Sequence, residues 1–219
     1  MKKLFIPAYS LKSPERAVKR ALRLLKGYKT IGIITTAQHI NQISMVKRIL
    51  EREGHNVIEG GQILGCNIES AKKIENSVDV FLYIGSGRFH PLGVAYATRK
   101  PVITANPLSD FADTISKEEI LQLKRKRRAR ILRAYNANVF GILVSLKNGQ
   151  FNLERAFQIK DRMERAGRRA FIFAGSEINN DNILPFRVEA WVNTACPRIV
   201  DDYFDKPVLN EGEIDILIE

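Results

Sequence analysis

Short apolar, β-branched runs alternate along this chain with amphipathic stretches of a dozen or more residues, the pattern of βαβ units whose parallel strands are covered by helices. Strands are predicted at Leu4 to Ala8, Thr30 to Thr35, Asn56 to Ile58, Val78 to Ile84 and Val102 to Ala105. Ser13-Pro14-Glu15 supplies an N-cap and a helix-opening proline. Ala17, Ala21, Leu24 and Leu25 form the inward stripe of that helix, and Gly27 closes it. A second helix is predicted over Gln38 to Arg52, with Ile40, Ile43, Val46, Ile49 and Leu50 inward and Gly54 after its end. Ser116 and Glu119 form a capping box that opens a long basic helix. Further strands follow at Val139 to Ser145, Ala170 to Ala174 and Ala190 to Ala195, with a helix from Leu153 to Ala166. The chain therefore reads as an α/β protein of two small domains, 1–112 and 113–219, each a parallel sheet flanked by helices. Their similar size points to a repeated topology, although no sequence repeat is visible.

Composition narrows the class. With 219 residues, 45% hydrophobic and 27% charged, the chain buries a proper core and is neither disordered, collagen-like nor disulfide-stapled. No apolar run approaches the ~18 to 20 residues that cross a bilayer. Pro7 cuts the N-terminal apolar run short of the ~7 to 15 residues of a signal-peptide core. A cytoplasmic protein without a membrane partner is expected.

The net charge of +11 points to an acidic partner. Much of it sits in Lys124-Arg125-Lys126-Arg127-Arg128, continued by Arg130 and Arg133, which wraps all round a helix. Such a helix reads either as a solvated surface or as a nucleic-acid contact, and no aromatic residues are interleaved for base stacking.

Ligands of parallel α/β sheets collect at strand carboxyl ends, where loop amides and helix N-termini converge. Three polar clusters fall on such exits: Thr36-Ala37-Gln38-His39, Gly85-Ser86-Gly87-Arg88-Phe89-His90-Pro91-Leu92-Gly93 and Lys147-Asn148-Gly149-Gln150. In the second, two glycines let backbone approach a ligand, Arg88 offers a planar fork for carboxylate or phosphate, and His90 donates, accepts or binds metal. The loop is neither a Walker motif nor GxGxxG. The two cysteines, Cys66 and Cys196, have no CxxC partner and read from spacing as buried small hydrophobes or, at a Gly-rich loop and a strand exit, as presented thiols. A disulfide between them is not expected in a reducing compartment.

Thr35-Thr36-Ala37-Gln38-His39, Gly61-Gln62-Ile63-Leu64-Gly65-Cys66, the Gly85 to Gly93 loop and Val192-Asn193-Thr194-Ala195-Cys196-Pro197-Arg198 occur in order through nearly the whole chain. Together they closely resemble the archaeal 2-(3-amino-3-carboxypropyl)histidine synthase family of the first step of diphthamide biosynthesis. The resemblance implies an atypical radical enzyme with a four-iron, four-sulfur cluster and S-adenosylmethionine. Its 3-amino-3-carboxypropyl radical adds to a histidine of translation elongation factor 2. It further implies three α/β domains, each giving one cysteine and leaving one iron open to the cofactor. By motif, Cys66 and Cys196 correspond to the second and third cluster cysteines. Gln38, His39, Gly85, Gly87, Arg88, His90, Lys147 and Gln150 become pocket residues for the cofactor.

The departure is the first cysteine, since the chain has two and resembles the second and third domains only. Smaller departures are Ser86 and Leu146, where the family often has Gly or Asp and Thr. Three readings follow. The chain is the larger part of a split synthase completed by a separate N-terminal domain or paralogous subunit, with an unidentified electron donor. Alternatively it is a non-catalytic paralogue that binds the elongation factor or a synthase partner. In the third reading it is a nucleotide- or RNA-binding α/β protein.

Overall fold

The computed structural model describes residues 4, 6–65 and 67–218. The chain divides into two compact units, one reaching Leu121 and the other starting at Gln122. The expected boundary at 112 falls inside a strand of the first unit.

In the first unit β1 (Thr30–Thr35), β2 (Asn56–Gln62), β3 (Val80–Ile84) and β4 (Val102–Asn106) are parallel, and β5 (Phe111–Thr114) turns back antiparallel to β4. The strand order is β2-β1-β3-β4-β5. The sheet is thus mixed rather than purely parallel, because the short turn from Pro107 to Asp110 permits a hairpin where a helical crossover is needed for a parallel strand. Alternation sorts the side chains: Ile31, Ile33, Val80, Leu82, Ile84, Ile103 and Ala105 pack on α1 (Glu15–Leu25) and α2 (Ile43–Arg52). Ile34, Phe81, Tyr83 and Val102 meet α3 (Glu69–Lys72) and α4 (Phe89–Thr98) on the other face.

Three expectations change here. Leu4 and Ile6 to Ala8, the described part of the first predicted strand, join no ladder, and Leu4 and Ile6 are 85% and 78% exposed. Strand propensity supplies no hydrogen-bonding partner, and neither edge strand pairs with this segment. Leu24 faces outward while Val18 joins Ala17, Ala21 and Leu25 inside. The predicted second helix begins as a 3-10 turn, Ala37–Gln42, and continues as α2 to the expected end at Arg52.

The second unit repeats the arrangement with β6 (Val139–Ser145), β7 (Arg169–Gly175), β8 (Ala190–Asn193) and β9 (Val208–Asn210), all parallel, in the order β7-β6-β8-β9. Strand for strand this is the order β2-β1-β3-β4. One face packs on the end of α5 (Lys117–Ala134), on α6 (Leu153–Arg165) and on α8 (Asp215–Ile218); α7 (Asn180–Ile183) covers part of the other. There Gly141 leaves room for the fully buried Trp191, since a Cβ at 141 would lie 2.1 Å from the indole Cζ3.

The basic helix α5 is only partly a solvated surface. Arg127 Nε and Arg130 Nη2 donate to Oε1 of Glu213 at 2.9 and 3.1 Å, and Glu213 is 3% exposed. Arg133 donates to the Asp205 carbonyl at 2.7 Å. Spacing by three puts these arginines on adjacent turns, so one side of the helix is stitched to the C-terminal segment. Lys124, Arg125, Lys126 and Arg128 remain exposed.

Candidate functional site

Each sheet grows outward in both directions from its first strand, so each has a point where neighbouring strands lead their connections to opposite faces: β1 against β3, and β6 against β8. The same device ties both points. The Thr35 hydroxyl donates to the Ile84 carbonyl at 2.7 Å, and the Thr194 hydroxyl donates to the Leu143 carbonyl at 2.8 Å. The three polar clusters and the Cys196 loop all leave the sheets at these carboxyl ends.

At the first point Gly85 (φ 152°) and Gly87 (φ 75°) adopt conformations that disfavour side chains. A Cβ on Gly85 would also sit 2.6 Å from the Tyr83 hydroxyl, which donates to the Ser86 carbonyl. Burial pushes the Tyr83 phenol up to about 12, so it stays protonated and serves as a strut. His90 stacks nearly parallel to Tyr83 with centroids 6.2 Å apart and meets Phe89 edge-on at 5.6 Å. Gly65, next to Cys66 in the chain, packs so closely on Phe89 that a Cβ there would fall 1.9 Å from the ring. The Gly61 to Gly65 loop and the start of α4 are thereby brought together. Cys66 itself lies outside the described residues.

Arg88 does not offer an open fork. Its Nε and Nη2 donate to the two carboxylate oxygens of Glu119 at 2.8 and 2.5 Å, Nη2 also donates to the Thr114 carbonyl, and Nη1 reaches Asp113 at 3.3 Å. The hydrogen bonds from Arg88 hold the Glu119 carboxyl down to about 2, and Glu119 in turn raises Arg88. Glu119 also accepts from the Ser116 amide at 2.8 Å while Ser116 Oγ accepts from the Glu119 amide, the predicted capping box. Gly85, Gly87, Arg88, Asn106, Asp113 and Glu119 line a cleft of about 620 Å³. Arg88 shapes this cleft as a neutralised wall, because its charge is already met.

His39 is buried and bonded to Gln42 at 3.0 Å; Gln42 donates to the carbonyls of Ser10 and Lys12 at 3.1 and 2.9 Å. This pair anchors the N-terminal segment to the 3-10 turn and engages the imidazole away from solvent. Gln38 is exposed and its carbonyl accepts from the Ser10 amide.

In the second unit Lys147 is exposed and Gln150 half-buried on a turn that Ser145 Oγ starts by accepting from the Lys147 amide. Cys196 is a free, half-buried cysteine at the N-cap of the 3-10 turn Pro197–Asp201. Two asparagines hold it there. The buried Asn193 donates to the Cys196 carbonyl at 2.9 Å and to Asn210 at 3.0 Å, and accepts from the Ala195 amide. Asn210 donates to the Pro197 carbonyl. β8 therefore ends at Asn193 and not at the predicted Ala195. A separate cavity of about 440 Å³ at the end of β7 is lined by Phe173, Glu177, Asn182 and Phe186 among others, and by none of the predicted site residues.

The donor set sets a limit. Among the described residues no group of three or more His, Cys, Asp or Glu is placed to hold a metal. An iron–sulfur cluster of the Cys-ligated kind takes several thiolates, and the described residues present one, Cys196. They fit one corner of such a cluster and do not complete it.

A two-unit, doubly wound α/β chain with a half-buried free cysteine at one switch point and a glycine-lined cleft at the other defines the class. The whole chain, residues 1–219, matches the family described as "Putative diphthamide synthesis protein", and the protein belongs to that family. It is 39% identical to the 2-(3-amino-3-carboxypropyl)histidine synthase of Pyrococcus horikoshii over 98% of this chain and 65% of that protein. It is 32% identical to the synthase of Methanocaldococcus jannaschii, over 100% and 63%. The crystal structure of Dph2 from Pyrococcus horikoshii with a 4Fe-4S cluster superimposes with a TM-score of 0.88 at 38% identity, covering 98% of this chain and 64% of that one. The chain thus spans just under two thirds of the length of these relatives. No helix of the described residues is long and apolar enough to cross a membrane.

Proposed function

We propose that this chain forms the larger part of a 2-(3-amino-3-carboxypropyl)histidine synthase. It would act in the cytoplasm on a histidine of translation elongation factor 2 with S-adenosylmethionine as the group donor. The reading is carried by the presentation of Cys196 on an asparagine-held turn at a switch point, in a chain that matches the family from end to end. Cys66 and Cys196 would each ligate one iron of a cluster, and the third thiolate would come from a separate N-terminal unit or paralogous subunit. When bound, a reduced four-iron, four-sulfur cluster supplies the electron that breaks a carbon–sulfur bond of S-adenosylmethionine. The chain's own contribution is positional. Gly85 and Gly87 open backbone to the cleft, His90 is oriented between Tyr83 and Phe89, Gln38 and Lys147 stand exposed at loop exits, and Gln150 flanks the second switch point. Arg88 and His39 support these loops from behind, through Glu119 and Gln42.

The count of two cysteines favours a second reading, a non-catalytic paralogue that binds the elongation factor or a synthase partner. Anaerobic reconstitution with iron and sulfide separates the two. The chain alone and mixed with a separately encoded N-terminal unit would be read by absorbance, iron stoichiometry and S-adenosylmethionine cleavage. A cluster formed in the mixture and lost on Cys66→Ala or Cys196→Ala supports the split synthase. Absence of a cluster in both conditions leaves the binding paralogue.

A further inference from the structure

At the amino end of β9 a pocket of about 200 Å³ opens between α5 and the segment from Val200 to Val208. Four cations line it, Lys126, Arg130, Arg133 and Lys206, against one carboxylate, Asp202. The other carboxylates at hand are already engaged: Glu213 accepts from Arg127 and Arg130, and Asp201 stands 3.8 Å from Arg130. Asp205 is held by the Tyr203 hydroxyl and by Asn180. The cations keep donors in reserve. Arg133 donates through Nη2 to the Asp205 carbonyl, Lys206 spends one donor on the Phe186 carbonyl, and Lys126 has no hydrogen bond or ion pair among the described residues.

A second observation points the same way. Arg130 Nε is buried without a hydrogen-bond partner, on a side chain only 13% exposed. A buried guanidinium N–H left unmet costs on the order of 1 to 3 kcal/mol, so such a donor normally has an acceptor. Val200, Phe204, Pro207 and Val208 supply an apolar floor, which lowers the local dielectric and strengthens charge recognition above it. Guanidinium and ammonium donors converging over such a floor match a tetrahedral oxyanion.

We infer that this pocket binds a phosphate group, either as a free phosphate or diphosphate or as a phosphodiester of an RNA strand lying along the exposed Arg125 side of α5. The site is separate from the switch points and independent of the synthase reading.

The test is isothermal titration of the full chain with inorganic pyrophosphate and, separately, with a short single-stranded RNA, repeated for Lys126→Glu, Lys126→Ala and Lys124→Glu. Lys126 holds no internal bond, so its loss leaves the fold intact. Lys124 lies about 200° away around the helix and serves as the charge control. Saturable pyrophosphate binding, weakened about tenfold or more by Lys126→Glu and less than about twofold by Lys124→Glu, is expected. RNA that binds, competes with pyrophosphate and loses affinity with Lys126→Glu identifies the phosphodiester as the source. Pyrophosphate binding without RNA binding identifies the free anion. No saturable binding of either probe, or equal losses from Lys124→Glu and Lys126→Glu, overturns the inference.

Discussion

Arg88 and Glu119 meet fork to fork, with Nε and Nη2 of the guanidinium on the two oxygens of one carboxylate at 2.8 and 2.5 Å. The pair joins the glycine loop after β3 to the start of α5, and it takes from Arg88 the free charge that its position suggests. A residue that reads as a ligand-binding cation is here part of the frame.

This pair makes the first unit sensitive to acid. Glu119 is held at about 2, below its ordinary 4.5, so its stabilising effect is fully present above pH 4.5 and is lost as pH falls toward 2. Glu119→Gln should destabilise the protein by about 1 kcal/mol at pH 7, since the pair is partly exposed. The gap between parent and variant in urea unfolding should close steadily between pH 4.5 and 2. A gap independent of pH would show that the carboxylate's charge is not what matters.

Glu213 is a stronger case because it is buried. Truncating it leaves Arg127 and Arg130 without their shared acceptor and the Asn210 amide without its cap. Glu213→Ala should cost about 3 kcal/mol, within the range for breaking one side of a buried ion pair. Chemical denaturation followed by Trp191 fluorescence reads this directly, since that indole is buried in the same unit.

Asn193 should govern the cysteine turn. Asn193→Ala removes the donor to the Cys196 carbonyl and the acceptor for the Ala195 amide, a loss of about 1 to 2 kcal/mol. In a Cys66→Ser background the remaining thiol should then react with a disulfide reagent about fivefold faster or more, because the turn opens locally before the unit unfolds. An unchanged labelling rate would mean that Pro197 and the bond from Asn210 to its carbonyl hold the turn without Asn193.

Gln42→Ala should release the N-terminal segment without unfolding the first unit. The carbonyls of Ser10 and Lys12 lose their donor, while the Ser10 amide still reaches Gln38. Hydrogen exchange at residues 9 to 13 should rise about tenfold and α1 should stay protected. Exchange that rises equally through α1 would show that the anchor holds the helix as well.

Local patterning carried much of the fold. β1 and β6 have the predicted bounds, and the Ser116–Glu119 box is formed as spacing requires. The helix α4 was invisible to periodicity because Phe89–Thr98 has no polar face, and Pro91, Val94, Ala95 and Thr98 are all buried. β9 is three residues long, too short to register as an alternating run. The N-terminal segment shows the reverse failure, a strand-like composition without a neighbour to pair with. At the site, the glycine loop and the Cys196 turn were legible as types of residue at strand exits. Their partners were not: Glu119 lies 31 positions from Arg88, and Asn210 lies 17 from Asn193. Only the folded chain brings these together.

The contact of Gly141 with Trp191 sets an order on how this protein can change over generations. A methyl group at 141 cannot arrive first, because it would overlap the indole and force the core apart by about 1 to 3 kcal/mol or more. A smaller side chain at 191 can arrive first, leaving a cavity that a later alanine at 141 then fills. Once that alanine is present the indole is shut out, so descendants of the two-step path cannot regain the tryptophan by a single change.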